Sequence, residues 1–159
     1  FTVLTGSTAG FGEFRDRGGR AVPDLVEAFG EPDSTTPRGR YSCKLSWDDI
    51  GAVVTIGIFG ETTGDPCEEG IFLSAELTDP RWRTDTGIGP GSSAAEAEAL
   101  ATKDCTDVTG FTGGCVGADG YTFGLHRTEC AAQESPNVTA QTDGTEPVRS
   151  LTVYWHGCE

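Results

Sequence analysis

Methionine is absent from the 159 residues, lysine occurs only at Lys44 and Lys103, histidine only at His126 and His156, and no cysteine lies in a Cys-x-x-Cys pair. Each shortage closes off a class of chemistry. A Ser-His-Asp hydrolase needs a histidine to move protons, and neither candidate is accompanied by a Gly-x-Ser-x-Gly elbow. His126 stands beside Arg127, whose charge opposes protonation, and His156 follows Trp155 two places before Cys158. Both read as surface or structural residues, so no residue is given a catalytic role. Cysteines without Cys-x-x-Cys spacing or a histidine at zinc spacing make a poor metal site, and neither metal nor cofactor is expected. No apolar run reaches the roughly 18 residues of a membrane-spanning helix. Basic residues are scarce as well: 11 Lys and Arg against 25 Asp and Glu give a formal net charge of -14, which repels phosphate backbones and argues against nucleic acid as a partner. The simplest use of that acidity is solubility.

What the chain does contain is glycine and proline. With 23 Gly, 8 Pro and only 36% apolar residues, the composition suits many turns and short strands around a lean core. One domain spanning 1–159 is expected, burying roughly 70% of its unfolded surface. Six cysteines, Cys43, Cys67, Cys105, Cys115, Cys130 and Cys158, supplement that core. Each disulfide contributes on the order of 2–4 kcal/mol, and disulfides place the protein outside the reducing cytosol. A start at Phe1 with no methionine fits removal of an export signal, so a secreted or cell-envelope location is expected. Cys43 with Cys67 is the first pairing to expect. The other four leave two schemes open, Cys115–Cys130 with Cys105–Cys158, or Cys105–Cys115 with Cys130–Cys158.

Residues 1–20 are broken by glycines at 6, 10, 12, 18 and 19 and read as an edge strand or an extended arm. Pro23 near a first turn, Val22, Leu25, Val26 and Phe29 at helical spacing, and Gly30 and Pro32 as stops predict a helix over about 22–29. The stretch from Tyr41 to Glu61 reads as a hairpin turning at 48–51, and Ile71–Leu77 as a third strand on the same face. Further on, Ser92 or Ser93 caps a helix running to about Lys103, with Glu96 and Glu98 in its early turns. A second hairpin lies between Cys115 and Cys130 and a last strand follows Glu146, while 131–147 has almost no large apolar residue and reads as a long exposed loop. Landmarks recur at nearly one spacing: Asp24–Gly30 against Ala95–Ala101, Cys43 against Cys115, Leu77 against Leu151, Trp82 against Trp155. They suggest two repeats, about 10–82 and 83–159, with Trp82 and Trp155 pinning each helix to its strands and Arg81 and Arg83 pointing outward.

At "CKLSWDDIGAVVTIGIFGETTGDPC" and "WRTDTGIGPGSS" the chain resembles a group of uncharacterised secreted bacterial proteins. They carry a Cys-x-x-x-Trp strand, a second cysteine about two dozen residues on, then Trp-Arg-Thr and a glycine-rich helix entry. The resemblance covers roughly 22–103. The fold it implies is similar to the beta-lactamase inhibitory protein: α+β, with two tandem helix-plus-antiparallel-meander units sharing one curved, disulfide-stapled sheet. This chain lacks that family's Gly-Met-Thr entry to each helix and any matching aromatic cluster in its loops, so no inhibitory residue is carried over. The resemblance implies a fold and an exported location, and no activity.

The remaining signals concern surfaces. Trp47, Phe59, Tyr121 and Phe123 on the two hairpins, with Arg81 and Arg83, could anchor a partner on an exposed sheet face, although packing is the commoner use of such aromatics. Asp48-Asp49 and Asp65 with Glu68-Glu69 are dense acidic groups without the order of a calcium loop. Asn137-Val138-Thr139 matches the N-glycosylation pattern, which arises often by chance. The expected function is a non-enzymatic exported or cell-surface domain that binds another protein or assembles with itself. A small carbohydrate-active hydrolase using two acids, or a sugar- or calcium-binding module, is the alternative.

Overall fold

The computed structural model describes residues 1–4, 9–60, 63–100, 115–117, 120–127, 136–142 and 146–154. The glycine-rich start forms three short strands, β1 (Thr2–Leu4), β2 (Gly10–Phe11) and β3 (Phe14–Arg15). They turn tightly because Gly12 takes φ +55°, a conformation that costs glycine little. α1 (Ala21–Phe29) follows and stops at Gly30, φ +79°, whose N–H donates to Val26 O. β4 (Ser34–Arg38), β5 (Ser42–Trp47) and β6 (Ala52–Gly57) come next, β5 and β6 joined by a single 3-10 turn over Asp48–Ile50. α2 (Pro66–Glu69) opens with Pro66 and with the Asp65 carboxylate accepting the Cys67 N–H at 2.9 Å, and β7 (Ile71–Leu77) runs on from it. β8 (Arg83–Thr84), α3 (Ala94–Leu100), β9 (Cys115–Gly117), β10 (Gly120–Arg127), β11 (Pro136–Thr142) and β12 (Ser150–Tyr154) complete the described elements. Ser93 caps α3 reciprocally: its hydroxyl accepts the Glu96 N–H while the Glu96 carboxylate accepts the Ser93 N–H, both at 3.1 Å.

The strands form two sheets. One has four strands in the order β3-β2-β1-β8, and the other has eight in the order β4-β5-β6-β7-β12-β11-β10-β9. In the large sheet the register stacks alternate residues into rows. Leu45, Val54, Ala75, Val153 and Val138 form one inner row, and Trp47, Ala52, Leu77, Leu151 and Ala140 another. All ten are buried and join Phe11, Phe14, Leu25, Phe72 and Trp82 in one core. Large side chains buried in this way each contribute about 1.5–3 kcal/mol. Cys43 and Cys67 are joined by a disulfide that ties β5 to α2 on the inner side.

This architecture corrects the α+β expectation of two helix-plus-meander units on one shared sheet. The protein is mostly β, with two sheets and, among the described residues, only three short α-helices. Residues 2–4 and 9–15 are not a free arm, because Phe11 and Phe14 need burial and reach it by building the small sheet over the core. A fourth strand, β4, stands beyond the expected three. The long loop expected over 131–147 contains β11, where Val138 and Ala140 are buried and the backbone pairs with both β10 and β12. Trp155, like Cys105, Cys130, Cys158 and His156, lies outside the described residues.

Candidate functional site

Trp82 is fully buried, its indole N–H donating to Ile50 O at 2.6 Å and its ring meeting Phe1, Phe11 and Phe29 at 4.6, 5.8 and 6.4 Å. Trp47, a candidate anchor for which packing is the commoner expectation, is an interior residue at 2% exposure; its N–H donates to Gly30 O at 3.0 Å and its ring packs on Phe29. The alternation of polar Ser42, Lys44 and Ser46 with apolar Cys43, Leu45 and Trp47 already carried that signal. The two tryptophans thus bind the end of α1 to the β5–β6 turn.

Arg81 points outward as expected, and Arg83 does not. Arg83 is half-buried, with one guanidinium nitrogen donating to Trp82 O and Pro90 O at 3.0 Å each, so it braces the turn before α3. Arg81 grips Asp79 through Nε at 2.9 Å and Nη2 at 2.8 Å, and also donates from Nη2 to Asp49 O. The Arg81 hydrogen bonds, first from the side chain and then from the backbone, hold the Asp79 carboxyl at about 2, below its usual 3.8. The same contact raises the Arg81 guanidinium. The Arg81 guanidinium also sits 4.4 Å from the Phe1 ring centre. This cluster braces the β6–β7 end of the sheet.

Phe59 is 59% exposed, and Tyr41, not singled out from the sequence, is 51% exposed. Both lie at the same end of the β5–β6 pair, where the Ile58 N–H donates to Tyr41 O at 2.9 Å. Arg40 lies over the Tyr41 ring at 5.5 Å. The backbone sets Tyr121 opposite Thr142 and Phe123 opposite Ala140, and His126 opposite Val138, while their side chains lie outside the described residues. Asn137 lies in strand β11 instead of a loop, with Val138 beside it fully buried.

The outer face of the large sheet differs in chemistry from the inner one. One row reads Ser34, Ser46, Val53, Glu76, Thr152, Thr139; the next reads Thr36, Lys44, Thr55, Ser74, Tyr154. Over β4–β7 these residues are exposed or half-buried. Hydroxyls dominate, with Lys44 and Glu76 the charges, and the two serines of the first row share a hydrogen bond at 2.6 Å. The face ends in the exposed edge β4, where all five residues are in contact with solvent. On the opposite side of the molecule a shallow apolar groove of about 500 Å³ is lined by Phe1, Gly12, Glu13, Phe29, Ile50 and Trp82. A smaller neighbour of about 270 Å³ holds Glu13, Asp24 and Glu27 together with Arg15 and Arg17. Among the described residues no group of three or more His, Cys, Asp or Glu is placed to hold a metal ion, and no helix is long and apolar enough to cross a membrane.

No protein-family model matches the sequence, and no curated protein does. The structure is similar to the crystal structure of the uncharacterized protein yfeY from Escherichia coli, at 12% sequence identity and a TM-score of 0.53, over 98% of this chain and all of that one. At that identity the likeness concerns the fold alone.

Proposed function

We propose that the chain is a non-enzymatic domain of the cell exterior that works by contact with other polypeptides through the outer face and open edge of its large sheet. The single observation that carries the reading is the contrast between the two faces of β5–β7: the inner one is closed by α1, α2 and the small sheet, while the outer one stays open and hydroxyl-rich. A solvent-facing antiparallel face costs nothing to keep. The exposed Tyr41 and Phe59 at its end add what plain solvation does not need, since large aromatics are the usual anchors of protein contacts. The Cys43–Cys67 disulfide supports an oxidising address.

Photo-crosslinking side chains at Thr55 and Ser74, with Glu27 on α1 as control, test the reading on the protein displayed by its exporting cell. Polypeptide adducts at the first two positions and none at the third are expected. Equal labelling at all three sinks it, as does release of reducing sugar from a polysaccharide that is lost in Glu13→Gln.

A further inference from the structure

The edge strand carries a charge pattern that is complementary to itself. From Glu31 to Arg40 the chain reads E-P-D-S-T-T-P-R-G-R, with two acids before β4, two arginines at and after its end, and two threonines between. All four charged side chains are exposed. The neighbouring turn extends the acidic end, since the Asp48 N–H donates to the Asp33 carboxylate at 2.6 Å and Asp49 follows. Lys44, on the strand beside Thr36, adds a positive charge next to the middle of β4.

The free backbone groups of β4 can be read from the hydrogen-bond phase. Tyr41 accepts from Ile58, so Cys43, Leu45 and Trp47 exchange bonds with β6, and their neighbours Ser42, Lys44 and Ser46 face β4. Their partners there are Arg38, Thr36 and Ser34. The N–H and C=O of Thr35 and the C=O of Pro37 are therefore aimed away from the sheet. Pro37 sits where its missing N–H costs β4 nothing, and where it blunts unspecific strand addition.

We infer that β4 is the docking edge for a second copy of this chain, added antiparallel about a twofold axis between the strands. This deepens the binding role proposed above and rests on it. Whether the axis falls at Thr35 or Thr36, each Thr35 N–H donates to the other copy, to its Thr35 or its Pro37 carbonyl. In either case Glu31 and Asp33 of one copy lie beside Arg38 and Arg40 of the other, twice per dimer. A parallel arrangement would set like charges together, so the charges select the antiparallel one. Two copies joined in this way form one continuous sheet with a common outer face. With only two new backbone bonds and exposed ion pairs, the contact is weak and loosens with salt.

Sedimentation velocity over a concentration series, at low and high salt, measures the association. Thr35→Pro removes the outward donor at a solvent-facing position, and dimerisation weaker by more than about tenfold is expected from two lost bonds, with an unchanged far-UV spectrum. A charge-swap pair is the second test. Arg38→Glu with Arg40→Glu makes both ends acidic. Glu31→Arg with Asp33→Asn makes the acidic end basic and keeps an acceptor for the Asp48 N–H. Each variant alone is expected to stay monomeric, and an equimolar mixture to form a heterodimer. A wild type that is monomeric at every concentration, or a dimer indifferent to both tests, overturns the inference; crosslinks on Thr55 and Ser74 would in that event still support the broader binding role.

Discussion

Removing the Cys43–Cys67 bond, by Cys43→Ala with Cys67→Ala, tests how far covalent closure stabilises a fold with so much glycine. The two cysteines are 24 residues apart, and they enclose the β5–β6 hairpin. Loop-closure entropy for a ring of that length amounts to about 3.4 kcal/mol at 25 °C. A domain is held by only about 5–15 kcal/mol in total, so the loss is a large share. At roughly 2–4 °C per kcal/mol for a chain of this size, the melting temperature should fall by about 7–14 °C. Because the effect acts on the unfolded chain, the denaturant m-value should rise as that chain expands. Urea titration of the two proteins, followed by tryptophan fluorescence, reads both quantities. A loss under about 1 kcal/mol with an unchanged m-value would refute the reasoning: the hairpin would then already be closed in the unfolded state, and the bond would be redundant.

Other consequences follow from the core and the charge cluster. Trp82→Ala should cost about 3–5 kcal/mol, since it opens a cavity among Phe11 and Phe29 and leaves Ile50 O without its donor; Trp82→Phe should recover part of that, and calorimetry showing both variants near wild type would contradict the packing described. The depressed Asp79 carboxyl adds stability that is complete above its usual 3.8 and is lost as pH falls through about 2. The melting temperature of wild type should accordingly fall more steeply than that of Asp79→Asn between about pH 4 and pH 2, by a small margin because the pair is exposed to solvent; parallel curves would remove Arg81 as the cause. Together with the edge-strand variants and the crosslinking experiment, these cover both the interior and the proposed contact surface.

Legibility followed the range over which each feature is encoded. α1 was visible because its apolar spacing and its stops, Gly30 and Pro32, lie within a dozen residues. The Ser93 cap, the turn at 48–51 and the strand Ile71–Leu77 are equally local. By contrast β4, with the sequence Ser-Thr-Thr-Pro-Arg, has no hydrophobic signal of its own and is a strand only because β5 lies beside it. β11 presents small Val138 and Ala140 to the core, too little apolar surface to stand out from a loop. The interior position of Trp47 could have been found from the alternation along β5. That of Arg83 could not, since it depends on Pro90 folding back across the strand end.

By itself the sequence determined the local grammar of this protein: where a helix begins and stops, where a hairpin turns, which cysteines close the first loop, and how acidic the exterior is. Each of these is set by residues near one another along the chain. Only the tertiary structure decided that the glycine-rich start becomes a second sheet, that Arg83 turns in to brace the turn before α3, and that a polar decapeptide becomes an exposed edge with opposite charges at its two ends. Those outcomes rest on which distant strands meet and which apolar rings find burial, and pairing between remote segments leaves little trace in either segment alone.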